Sequence, residues 1–195
     1  MELKGKPAYN GDQGVSVLAL VLLGRRNVGK TMTGNTILGS RQFETGVKTK
    51  QTVKKYGWVD GLRLAVVDTP GWSVFGLVNA EQVRHELRRS DMLSSFGRRT
   101  FLLVIPVDEF SSREGQAVEE YMSILGSNVW KHTMVLFTYA DELRGRNIEE
   151  YIKESGKPLQ KVLEMCHNRY YVFSNKLSDR YYQVSQLIQT VKKMC

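Results

Sequence analysis

Residues 24–31 read Gly24-Arg25-Arg26-Asn27-Val28-Gly29-Lys30-Thr31, which matches G-x-x-x-x-G-K-[ST]. An apolar run, Val15 to Leu23 with Ser16 inside it, leads in, and a helical pattern from Gly29 to Leu38 leads out. A strand that turns through glycines into a helix aims several backbone N–H groups at one point, where the helix end adds positive partial charge. Gly24 lets the chain leave the strand in a tight turn, and Gly29 lets the backbone approach phosphate oxygens closely. Arg25, Arg26, Asn27 and Val28 supply the rest of the nest, and Met32 follows it. Lys30 has the reach and charge for β- and γ-phosphates, and Thr31 offers a hydroxyl to Mg²⁺. The stretch is read as a cradle for a nucleoside polyphosphate, with Lys30 its principal catalytic group.

Further along, Asp68-Thr69-Pro70-Gly71 ends an apolar run. A carboxylate there would meet Mg²⁺ through water, since magnesium keeps much of its hydration shell. The Gly71 N–H would contact the γ-phosphate. Between the two motifs lies Lys48-Thr49-Lys50-Gln51-Thr52. A loop threonine here could cover Mg²⁺ when a γ-phosphate is bound. Thr49 and Thr52 both qualify. Thr52 falls at a strand start, so Thr49 is favoured as metal ligand and catalytic loop residue. Later, Phe137-Thr138-Tyr139-Ala140-Asp141 occupies the place where guanine-specific proteins carry Asn-Lys-x-Asp. Asp141 would accept the guanine N1 and N2 protons or, alternatively, cap the next helix. Thr138 stands in the Asn position, and Tyr139 can stack on the base. Asn175, in Phe173-Ser174-Asn175-Lys176, would flank the base or serve as a plain turn residue. The ligands expected are therefore GTP or GDP with Mg²⁺.

Apolar strands and amphipathic helices alternate along the chain, which predicts an α/β fold with a mostly parallel six-stranded sheet between helices. Residues 1–14 read as a flexible arm and residues 15–195 as one domain. Strands are expected at Ser16 to Leu23, Thr52 to Val59, Leu62 to Val67, Phe101 to Val107, Lys131 to Thr138 and Tyr170 to Phe173. Asp60-Gly61 is a hairpin signal, so the second strand should run antiparallel to the third. Helices are expected at Glu81 to Leu93, at Arg113 to Leu125 before Gly126, and at Ile148 to Cys166 with a break at Gly156-Lys157-Pro158. A closing helix should run from Asp179 to Met194.

The 195 residues carry 28 basic and 20 acidic side chains, a net charge of +8. That excess suits anionic ligands, but no aromatic-interleaved basic motif accompanies it, so nucleic acid is not the expected partner. No apolar run approaches the ~20 residues that span a bilayer. The first residues contain no apolar signal segment. Cys166 and Cys195 are the only two cysteines. They form no disulfide framework, which favours a reducing, cytoplasmic compartment.

With these residues in place, the chain resembles the GIMAP family (GTPases of immunity-associated proteins, or IAN proteins), and looks most like fish members. Thr33-Gly34-Asn35-Thr36-Ile37-Leu38-Gly39 follows Gly-Lys-Thr as the family's T-G-N-S-I-L-G does. Val67-Asp68-Thr69-Pro70-Gly71 matches V-D-T-P-G. Lys131-His132-Thr133-Met134-Val135-Leu136-Phe137-Thr138 matches K-H-x-I-V-L-F-T, and Phe173-Ser174-Asn175-Lys176 tracks F-N-N-K. The likeness covers residues 16 to 195. It implies a P-loop, Ras-like G domain with an extra helix near the second switch, which binds GTP and GDP and self-associates through that domain. It also implies an immune-cell role and attachment to intracellular membranes through segments beyond the G domain.

Two departures bear on catalysis. Ras-like enzymes place Gln after Asp-x-x-Gly to orient the attacking water, and here that residue is Trp72. Some family members carry an Arg before Phe-Thr in the box after the fourth strand, and here Glu109 precedes Phe110-Ser111. Arg25 and Arg26 could supply charge in cis or across a dimer, or be plain surface charge. Slow hydrolysis is therefore expected, with a nucleotide-gated scaffold of negligible activity as the alternative. Trp72, Val74, Phe75 and Leu77 are apolar and would either be exposed for self-association or pack beneath their own loop.

Overall fold

The computed structural model describes residues 17–75, 80–95, 97–176 and 180–194. The expected arm at 1–14, Ser16 as a strand start, Leu77, Asp179 as a helix start and Cys195 lie outside these residues.

Six strands form one sheet in the order β2-β3-β1-β4-β5-β6. They are β1 (Val17–Leu23), β2 (Val53–Val59), β3 (Leu62–Asp68), β4 (Arg98–Pro106), β5 (Thr133–Thr138) and β6 (Tyr170–Val172). Among the described residues, only the β2–β3 pair is antiparallel. Asp60 and Gly61 both take positive φ, 51° and 74°, the mirror-image turn that joins two strands without splaying them.

The central strands carry apolar residues without polar alternation because helices cover both faces. On one face Val21, Leu23, Leu103 and Phe137 pack against α2 (Ala80–Leu93), α3 (Ser112–Met122), α4 (Ile148–Glu154) and α5 (Lys157–Met165). On the other face Leu20, Leu22, Val104 and Leu136 pack against α1 (Lys30–Leu38) and α6 (Arg180–Lys192). Adjacent residues of one strand thus serve two cores, and the carboxyl ends of β1, β3 and β5 converge beside the start of α1.

Some boundaries differ from expectation. β4 starts at Arg98 because Arg98, Arg99 and Thr100 pair with Leu18, Ala19 and Leu20, and the Arg99 guanidinium lies over the Phe101 ring at 5.2 Å. α3 starts at Ser112 because Ser111 and Glu114 form a reciprocal capping box. It tightens into a 3₁₀ turn over Ser123–Leu125 before Gly126. The break expected at Gly156 is present, where φ of 80° and ψ of −168° leave the helical region, and the second helix stops at Met165 rather than Cys166.

Candidate functional site

The phosphate loop is held open by backbone geometry. Gly24 leaves β1 so close to β4 that an added Cβ would lie 2.7 Å from the Val104 carbonyl oxygen. Asn27 and Gly29 take positive φ, 61° and 89°. Reversing the backbone twice turns successive N–H groups inward, the geometry of an anion nest. The Thr138 hydroxyl, buried at the end of β5, donates to the Val28 carbonyl at 2.7 Å and ties down the loop's far side. The Arg26 N–H donates to the Trp72 carbonyl at 2.9 Å, and Trp72 N–H donates to Gly24 O at 3.3 Å. Gly71 allows this seam, since a Cβ there would sit 2.7 Å from Arg26 backbone atoms.

A cavity of about 530 Å³ opens over the loop. Residues 26–32 form its floor, the segment from Thr45 to Thr49 one wall, and Gly71 and Tyr139 its remaining sides. Lys30 is buried, and its Nζ donates to the Arg25 carbonyl at 2.8 Å, so the ammonium arches across the loop. Burial lowers its pKa to about 8, against the opposing pull of Asp68. A polyphosphate in the nest would hold that ammonium charged.

Three oxygen-bearing side chains meet beside the nest. Thr31 Oγ1 donates to Asp68 Oδ2 at 2.7 Å and lies 3.3 Å from Thr49 Oγ1. Asp68 is 2% exposed, and its second oxygen, Oδ1, is buried without a hydrogen-bond partner. Burial pushes its pKa up, while Thr31 and Lys30 pull it down. A buried carboxylate oxygen lacking a partner costs about 1–3 kcal/mol or more. A hard cation with its water shell would relieve that cost, and two hydroxyls and a carboxylate are suitable oxygen donors for Mg²⁺. Thr52, the other loop threonine considered, is buried at the start of β2 and bonded to α2 instead.

Other candidate residues sit differently. Gly24, Arg25, Thr138, Asp141 and Asn175 do not line the cavity. The Arg25 guanidinium is held by Asp108 at 3.0 Å and Glu114 at 2.9 Å, so its charge is spent joining the phosphate loop to α3. Arg26 does face the cavity, and its Nε is buried with no partner. The Asn175 amide bonds to α1, accepting from Thr36 Oγ1 at 2.9 Å and donating to Thr33 Oγ1 at 3.3 Å. Asp141 pairs with Lys176 at 2.9 Å, which lowers its pKa, and Tyr139 stands partly exposed at the cavity edge in a left-handed conformation. Trp72 packs under its own loop, 1% exposed and stacked on Tyr121 at 5.1 Å, whereas Phe75 is 71% exposed. Sequence reading missed Thr45, Gly46 and Val47 as wall residues, and no local signal marks them.

The AIG1 family model matches residues 18–195. The chain belongs to the AIG1 family. Its relatives include human GTPase IMAP family member 8, 28% identical over 92% of this chain and 27% of that protein. Arabidopsis thaliana immune-associated nucleotide-binding protein 1 is 31% identical over 91% of this chain and 83% of that one. The chain spans little more than a quarter of the IMAP member 8 proteins it matches. Among solved structures, Arabidopsis thaliana Toc33 in complex with GDP and Mg²⁺ superimposes with a TM-score of 0.69 at 19% identity, over 92% of this chain and 84% of that one. The G domain of the Thermotoga maritima FeoB iron transporter gives a TM-score of 0.59 at 16% identity, over 91% and 98%. The fold of this AIG1 domain is thus that of a P-loop G domain. The family's T-G-N-[ST]-I-L-G run has a mechanical reading here. Thr33 and Thr36 hold Asn175, Gly34 admits the Phe43 ring, and Asn35 bonds both backbone groups of Phe43.

Proposed function

We propose that this chain is a guanine-nucleotide-binding switch domain that takes GTP or GDP with Mg²⁺ and hydrolyses GTP slowly. The observation that carries the reading is the meeting of Thr31, Asp68 and Thr49 at the mouth of the nest, with Asp68 Oδ1 buried and unpartnered. When bound, Mg²⁺ neutralises charge on the phosphate oxygens. The chain's own residues do the rest. The backbone from Asn27 to Thr31 binds the phosphates, Lys30 adds charge, and Thr49 closes over the metal side. Tyr139 offers a stacking surface for the base, and Asp141 offers an acceptor to guanine N1 and N2 once it exchanges Lys176 for the ligand. Toc33 in complex with GDP and Mg²⁺, on the same fold, supports that ligand class.

Buried Trp72 supports slowness. It follows Asp-x-x-Gly, carries no amide and is locked against Tyr121, so it cannot orient a water. The same fact favours a second reading, a nucleotide-gated scaffold with negligible hydrolysis. Self-association is part of the proposal. Phe75 is exposed beside the loop, and dimerization is important for the GTPase activity of the chloroplast translocon components that share the fold. We place the protein in the cytoplasm of immune cells, at the surface of intracellular membranes. Among the described residues no helix is long and apolar enough to cross a bilayer.

Release of the co-purifying nucleotide by denaturation, with ion-pair chromatography and a GDP-against-ATP competition, tests the ligand class. Guanine nucleotide displaced by GDP but not ATP is expected, and adenine nucleotide would overturn it. Single-turnover hydrolysis at rising protein concentration then separates the readings. The slow switch predicts a rate that rises with concentration, and the scaffold predicts none.

A further inference from the structure

The loop that carries Thr49 is long and lightly held. Its first part is anchored by Asn35, whose amide brackets the backbone of Phe43 at 3.0 and 2.8 Å. Among the described residues, Gly46, Val47 and Lys48 make no hydrogen bond. After Thr49, which meets Thr31, the next hydrogen bonds are at Lys50 and Thr52, and they go to α2. Gln82 Nε2 donates to Lys50 O at 3.4 Å. Glu86 Oε2 accepts from Thr52 N–H at 2.6 Å, and the Glu86 backbone carbonyl accepts from Thr52 Oγ1 at 3.0 Å. Arg89 donates to Thr52 O at 3.2 Å and to Glu86 Oε2 at 3.4 Å. Gln82, Glu86 and Arg89 are spaced i, i+4, i+7, so one stripe of the helix faces this stretch of loop. Glu86 is 4% exposed, a carboxylate buried outside the phosphate site with a backbone amide and a guanidinium as partners. Charged groups are almost never this buried without a specific partner.

We propose that Glu86, with Arg89 beside it, is the positioning residue that holds Thr49 against Thr31 and the metal side of the site. The inference rests on the metal-nucleotide reading above and deepens it. Glu86 does not line the cavity. It fixes Thr52, three residues downstream of Thr49, and so shortens the free span that a metal-bound Thr49 must order. Because α2 follows the Asp68 to Gly71 segment in the chain, the strap also couples the two loops that flank the phosphates. Removing it loosens the metal-dependent component of binding and leaves the phosphate nest itself intact.

The test is the Mg²⁺ concentration that half-maximally retains a fluorescent GTP analogue, measured on the whole chain beside nucleotide affinity in EDTA. Glu86→Ala is expected to raise the Mg²⁺ requirement about tenfold with affinity in EDTA within twofold of wild type. Glu86→Gln, which keeps an oxygen acceptor for the Thr52 N–H, should stay within about threefold. Arg89→Ala, at a half-exposed position compatible with folding, should shift the requirement about threefold in the same direction, and decides the matter if Glu86→Ala does not fold. Unchanged Mg²⁺ dependence in the variants, or equal losses with and without metal, overturns the proposal. Trypsin cleavage after Lys48 or Lys50 in nucleotide-free protein separates the two readings. Wild-type protein that binds no nucleotide contradicts the proposed function and removes the metal role of Glu86. Equal cleavage of wild type and Arg89→Ala contradicts the strap alone.

Discussion

Asp68 is a buried carboxylate with one oxygen bonded to Thr31 and the other bonded to nothing. Asp68→Asn should raise the Mg²⁺ needed for nucleotide retention at least tenfold and leave thermal stability equal or higher, because the uncharged amide costs less to bury. Mg²⁺ titration and a melting curve check both halves. Cys166 is a second residue whose surroundings set its behaviour. Burial at the end of α5 pushes its thiol up to about 12, from an ordinary value near 9. The folded value is the raised one, so this thiol supports the fold fully below about pH 9 and loses that support as pH climbs towards 12. In a Cys195→Ser variant, iodoacetamide at pH 8 should leave the native thiol unmodified, and denaturant should expose it. Rapid alkylation of the native protein would contradict this. At this scale the sequence disclosed what is local. The placement of Lys30 and Thr31 at the first turn of α1 could be inferred from their spacing to Gly24 and Gly29. The partners of Arg25 and Asn175 could not be, because Asp108 and Thr36 lie 83 and 139 positions away.

Among elements, the join between α1 and its loop is the most sensitive to packing. A Cβ on Gly34 would come within 2.9 Å of the Phe43 ring, so Gly34→Ala overpacks a buried contact. It should cost about 1–3 kcal/mol. Thermal unfolding would show the lowered midpoint, and an unchanged midpoint would mean the ring moves freely. Thr138→Val keeps shape but removes the donor to Val28 O, leaving a buried carbonyl unpaired at about 1–3 kcal/mol. Nucleotide dissociation should accelerate as the loop loosens. The hairpin at Asp60-Gly61 and the break at Gly156 were legible because each depends on a residue's own backbone preference. The early start of β4 was not, since Arg98 and Arg99 are strand residues only by virtue of β1 beside them.

For the whole molecule, the alternation of apolar runs and amphipathic helices announced a mostly parallel sheet, and Asp60-Gly61 announced its reversed strand. What the runs could not tell was which apolar residues near the phosphate loop point inward. Trp72 does, in a stack with Tyr121 whose rings are 6° from parallel, so it joins the loop to α3. Trp72→Ala should therefore unfold the domain more easily, by about 3–5 kcal/mol. Phe75→Ala, at an exposed position, should leave stability within about 0.5 kcal/mol and weaken GTP-dependent self-association. Light scattering with GDP and with a GTP analogue, set beside denaturant unfolding, distinguishes the two roles.

The proposed nucleotide site is an anion nest completed by one buried ammonium, Lys30. Equilibrium titration of wild-type protein and Lys30→Ala with Mg²⁺-GDP tests it. A charge-assisted contact to phosphate is worth about 1.5–3 kcal/mol, so its loss predicts affinity at least about tenfold weaker in the variant. Equal affinity in the two proteins would contradict the assignment of this cavity to a nucleotide.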